Sequence, residues 1–198
     1  MTLTNTNFVP GTRAITSVRD LVPMAQADTI YLFQGDSKVL ATAMQEIIDR
    51  FAIQETVQVV VGANRISFDR LPLMLGDQAG RAYEILDHIL VSRAESCYQM
   101  LDVLTALPLS PAPLVITDML ASFYEEDLTL NEVSQQLQRC LTRLDQLSKL
   151  APVLVSARSD PVRPSLIRLL EQHANTRFYF QPLEQQPQTR QAAFEWME

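Results

Sequence analysis

A chain of 198 residues with 47% hydrophobic content is long enough to bury a substantial core as one globular domain. Its net charge of -7 speaks against a broad, sequence-independent nucleic-acid surface, because neutralising phosphates takes clustered Lys and Arg. No apolar run approaches the roughly 20 residues of a membrane span, and the first residues lack the basic-then-apolar pattern of an export signal, so a cytoplasmic protein off the membrane is expected.

Residues 1–16 are polar, with Pro10 and Gly11, and are expected to form an N-terminal arm ahead of a single domain over 17–198. Ser17 is placed to cap a short helix carrying Val18, Leu21 and Val22, which Pro23 ends or kinks. Residues 30–33 are apolar throughout, as expected of a strand buried on both faces of a parallel sheet. From Ser37 the period becomes helical, with Leu40, Met44, Ile47, Ile48 and Phe51 on one stripe. The next buried strand is 57–61, and 64–80 mixes a short helix with a loop.

Farther along, 82–89 has a helical pattern, 89–91 reads as a strand, and 93–107 as a helix stopped by Pro108, Pro111 and Pro113. Residues 114–117 form a further strand closed by Asp118. The clearest helix is 131–150, with Val133, Leu137, Leu141, Leu144 and Leu147 on one face. A strand at 153–155, a short helix at 165–173 and an alternating strand at 177–181 complete the pattern, and a last strand around 190–196 would return as an edge hairpin. Strands alternating with crossover helices predict an α/β, doubly wound, mostly parallel sheet flanked by helices. Ligands in such sheets sit outside the carboxyl ends of the strands, where Gly35, Ala63, Asp118 and Arg158 fall.

Cys97 and Cys140 lie in apolar helical patterns without metal-ligand spacing, so they read as small core hydrophobes, and no metal site is expected. His88 and His173 have no Ser or Cys neighbour that would mark a catalytic set. Phe194 and Trp196 read as cover for the core or the sheet edge, or as part of a partner surface. The acidic run Glu125-Glu126-Asp127 reads as a solvated loop.

In their order, these parts resemble the RecA-type recombinase core: bacterial RecA, the archaeal RadA and RadB proteins and their eukaryotic paralogues. LVITDMLASFY is similar to the family's second nucleotide motif, and LNEVSQQLQRCLTRLDQLSKLAPVLVSAR to the long helix and strand that lead into its second DNA-binding loop. ILVSRAESCYQMLDVLTAL resembles the strand and helix before the Asp strand, and HANTRFYFQPLEQQPQTRQAAFEW the terminal hairpin. The resemblance implies a RecA-like fold with a nucleotide site between Lys38 and Asp118, which should then face one another.

The chemistry of that site departs from the family. A phosphate loop of the form G-x-x-x-x-G-K-[ST] uses glycines to bring backbone N–H groups onto the phosphates, Lys for charge and a hydroxyl for Mg²⁺. With Lys38 aligned on the motif lysine, Leu32 and Ser37 stand at the glycines and Val39 at the hydroxyl. Gly35 lies inside the loop at neither required position. Where the family has a catalytic glutamate, this chain has Val61-Gly62-Ala63-Asn64-Arg65. Asp36, at the helix start, is placed to cap it and to stand where a phosphate would sit.

The expectation is therefore a degenerate nucleotide site (Gly35, Asp36, Ser37, Lys38, Val39, Asp118), no catalytic residue, no bound ATP, Mg²⁺ or other cofactor, and a pseudo-ATPase role as an accessory or interaction subunit. By the family analogy the setting is DNA recombination or repair, with a protein partner or self-association. Arg158, Arg163 and Arg168 surround the turn that corresponds to the second DNA-binding loop, so they are candidate DNA or partner contacts, although net charge does not support DNA. The alternative is a KaiC-like regulator that binds nucleotide without hydrolysing it.

Overall fold

A computed structural model describes residues 2–5, 18–62, 80–124 and 128–181 of the chain. Strands β1 (Thr2–Asn5), β2 (Ile30–Gly35), β3 (Val57–Val61), β4 (Ile89–Arg93), β5 (Leu114–Thr117), β6 (Val153–Ser156) and β7 (Thr176–Gln181) form one sheet in the order β1-β7-β2-β6-β5-β3-β4. β2 to β7 are all parallel, and β1 joins the outer edge of β7 antiparallel. Thr2–Asn5, expected as part of an irregular arm, are thus an edge strand; a four-residue stretch with one apolar side chain, Leu3, is too short to show a strand period, and pairing with the edge of β7 makes it one.

The helices are α1 (Val18–Leu21), which runs into a 3-10 turn at Val22–Met24, α2 (Ser37–Gln54), α3 (Ala82–Leu86), α4 (Cys97–Ala106), α5 (Leu130–Ser148) and α6 (Pro164–His173). Because side chains alternate along a strand, each central strand feeds two cores. Tyr31, Phe33, Val59, Val61, Phe178 and Phe180 pack under α1, α2 and α3. Ile30, Leu32, Val60, Ile116 and Val155 pack under α4, α5 and α6. This two-sided burial explains the unbroken apolar runs of the inner strands. Phe33 stacks on Phe178 and Phe180 at centroid distances of 5.2 and 5.9 Å, fastening β2 to β7.

The best sequence pattern has the best-built start. Thr129 Oγ1 accepts from the Glu132 N–H at 3.3 Å while Glu132 Oε2 accepts from the Thr129 N–H at 2.9 Å, a reciprocal capping box for α5. Its buried stripe runs through Val133, Leu137, Cys140, Leu141, Leu144 and Leu147. Each large aliphatic side chain there contributes about 1.5–3 kcal/mol of burial.

The expected hairpin strand at 190–196 lies outside the described residues. On the side of β7 where a returning strand would pair, Phe178 to Gln181 are already held by β1.

Candidate functional site

β2, β5 and β6 lie side by side with their carboxyl ends together, and α2 leaves the end of β2 over one face. A crevice opens there, lined by Ser37, Leu40, Met44, Thr117, Asp118, Ser156 and Arg158 among others. It has about 40 Å³ of free room, enough for a water or two but small beside the roughly 300–1,000 Å³ of ordinary ligand pockets.

The passage from strand to helix is abrupt. β2 runs to Gly35 and α2 starts at Ser37, so Asp36 alone joins them. Its Oδ1 accepts from the N–H groups of Lys38 and Val39 at 3.0 and 3.2 Å, which makes it the N-cap expected from sequence. The carboxylate lies on the orphan N–H groups and the positive end of the helix dipole. Gly35 has its own reason to be glycine: at φ 143, a Cβ would lie 2.2 Å from the Phe180 carbonyl oxygen of β7. Leu32 is fully buried under the α4–α6 layer, and Val39 packs at the margin of the α2 core. Both motif positions are thus engaged in packing.

Asp118 closes β5 in the left-handed conformation, φ 52, and is buried. That backbone shape is uncommon outside glycine, and Asp tolerates it better than most residues. Its N–H donates to Ser156 Oγ at 2.8 Å. The end of β3 comes so close that a Cβ on Gly62 would lie 2.3 Å from the Asp118 carbonyl oxygen. The cation that grips Asp118 is Arg158, whose Nε donates to Oδ1 at 3.1 Å and whose Nη2 donates to Oδ2. β6 lies between β2 and β5, so the side chain arriving first is the one just past β6. Lys38 is exposed and not among the crevice-lining residues.

The contact raises the already high pKa of Arg158, chiefly through the hydrogen bond to Asp118, so the guanidinium stays charged. Its Nη1 reaches Ser37 Oγ at 3.5 Å, and Tyr124 Oη donates to the Arg158 carbonyl at 2.6 Å, holding the backbone of this turn. Burial and, next, the charge of Asp160 push the Tyr124 phenol up to about 12. Thr117 Oγ1 is buried in the crevice with no partner among the described residues. Ser156 and Tyr124 were not singled out by sequence. Ser156 ends β6 and Tyr124 follows the 3-10 turn Met119–Phe123 after β5, which gives little local sign, and their partners lie 38 and 34 residues away.

The other candidate arginines diverge. Arg163 donates to the carbonyls of Phe123 and Leu128 at 3.1 and 2.8 Å, bracing the segment on both sides of 125–127. Arg168 is exposed on α6. Two of the three, Arg158 and Arg163, thus spend guanidinium donors on contacts within the chain. His88 Nδ1 donates to the Ala52 carbonyl at 2.8 Å, and His173 Nε2 lies 2.9 Å from Asp145 Oδ1; neither lines the crevice. Cys97 and Cys140 are buried and form no disulfide. Among the described residues no group of His, Cys, Asp or Glu could hold a metal ion, and no helix is long and apolar enough to cross a membrane. Ala63, Asn64 and Arg65, after β3, and Glu125 to Asp127, Phe194 and Trp196 lie outside the described residues.

Neither a comparison with protein-family models nor one with curated proteins finds a match to the chain.

Proposed function

We propose that this chain is a RecA-like pseudo-ATPase: a protein that keeps the sheet and helix of a nucleotide-binding domain, turns over no ATP, and works as an accessory or interaction subunit. The observation that carries this reading is the one-residue join at Asp36. A phosphate cradle needs several consecutive backbone N–H groups on a glycine-permitted loop. Here the strand continues through the positions such a loop would use, and a carboxylate caps the helix in place of a phosphate. Its negative charge repels an incoming triphosphate.

Asp118 supports the same reading. A carboxylate bound by two guanidinium nitrogens has its oxygens committed to donors, which leaves it a poor ligand for Mg²⁺. On the resemblance to the recombinase core, the setting is DNA recombination or repair, with a protein as the direct contact. The internal bonds of Arg158 and Arg163 and the charge of -7 favour protein over DNA.

Calorimetric titration with ATP and Mg²⁺ tests the reading. No saturable heat and no shift in melting temperature are expected. Micromolar binding would overturn it and favour a nucleotide-sensing regulator instead.

A further inference from the structure

At the far edge of the sheet, opposite β1, stands β4. The Val57 N–H donates to the His88 carbonyl at 2.9 Å, and the Ala94 N–H donates to the Val61 carbonyl at 2.9 Å. Backbone groups alternate sides along a strand, so residues 88, 90, 92 and 94 turn theirs toward β3. Ile89, Val91 and Arg93 therefore aim N–H and C=O outward, where β4 has no strand partner among the described residues.

Among the described residues this edge lacks the usual protection. Protein edges are commonly blunted by Lys, Pro, a bulge or a covering element. β4 reads Ile-Leu-Val-Ser-Arg, and Leu90 and Val91 are 54% and 49% exposed on opposite faces of the sheet. Tyr83 of α3 and Tyr98 of α4, on the elements before and after β4, are also exposed. Such an edge offers main-chain hydrogen bonds along its length and apolar cover on both faces.

We infer that β4 is a self-association edge, pairing antiparallel with β4 of a second copy about a two-fold axis at Leu90. Charge selects this register. Centred on Leu90, it sets Ile89 opposite Val91, so the outward groups meet, and brings Asp87, in the turn just before each β4, toward Arg93 at the end of the other. Both charged residues are exposed. Centring on Val91 instead sets Asp87 opposite Glu95, two like charges, on both sides of the axis. An antiparallel two-fold pair uses both open edges and closes at two copies. The inference goes beyond the nucleotide reading and does not depend on it: titration tests the crevice, and association tests the opposite edge of the sheet.

Sedimentation of the full chain decides it. A species of twice the chain mass is expected, lost in Val91→Lys while the circular dichroism spectrum stays that of the folded chain and the unfolding midpoint loses its dependence on protein concentration. Asp87→Arg and Arg93→Asp should each raise the dissociation constant roughly tenfold or more, because symmetry doubles the contact, and together should restore it. Leu90 would face its own copy at a Cα separation of about 4.5 Å, inside the range of about 4.4–6.8 Å for a disulfide. Leu90→Cys should therefore link the dimer on mild oxidation, the native thiols being buried. A monomer at all concentrations, an assembly that grows past two, a dimer indifferent to Val91→Lys, or a dimer in which Leu90→Cys fails to link would each overturn the pairing.

Discussion

Arg158 is 41% exposed while the Asp118 carboxylate it grips is only 5% exposed, so the two partners stand to lose unequally. Removing the cation leaves a buried carboxylate without its guanidinium, and breaking a buried pair costs about 3–5 kcal/mol. Because solvent screens the exposed half, Arg158→Ala is expected to cost about 2 kcal/mol in urea unfolding. Asp118→Asn should cost less, since Asn tolerates the left-handed backbone and has no charge to strand. A cost for Arg158→Ala below that of Asp118→Asn would show the pair to be a solvated contact. At this scale the Asp36 cap was legible because its partners, Lys38 and Val39, are two and three residues on. The Arg158 pair was not, because nothing in a strand-end Asp says which of several neighbouring strand ends supplies its cation.

Elements were legible where the apolar period is unambiguous. The stripe of α5 and the runs of β2, β3, β5 and β6 all form within a residue or two of expectation. The stripe also contains a titratable group. Burial first, and Cys97 next, push the Cys140 thiol from 9.0 to about 12, and burial pushes the Tyr124 phenol from 10.0 to about 12. Both groups hold their proton more tightly in the folded chain. Their contribution is complete below the unfolded values of 9.0 and 10.0 and is lost as pH rises toward about 12. The melting temperature should thus fall progressively above pH 9, and the fall should be shallower in Cys140→Ala. Tyrosinate absorbance should show a late-titrating component that Tyr124→Phe removes; an absorbance titration unchanged by Tyr124→Phe above pH 10 would contradict the burial.

For the whole molecule, the two sheet edges set the exposure to other chains. β1 covers β7 with a short antiparallel strand, whereas β4 has no such cover among the described residues. Deleting residues 1–5 would bare the Phe178 to Gln181 edge, with Tyr179 already 43% exposed beside it. The truncated chain should melt earlier and scatter more light on refolding, yet still associate through β4. Unchanged melting and scattering would mean that β1 protects nothing.

The α/β class, the alternation of strands and helices, the helix cap at Asp36 and the departure from a phosphate-loop motif were all legible in the bare chain. All of these follow from residues near one another in the chain, through side-chain period and local hydrogen bonds. The order of the strands emerged only in the folded chain, and with it that β6 separates β2 from β5, that Arg158 reaches Asp118, and that β1 and β4 stand at the edges. Strand order is set by how two apolar cores close on opposite faces of one sheet. That closure is a property of packing at long range, which no local pattern encodes.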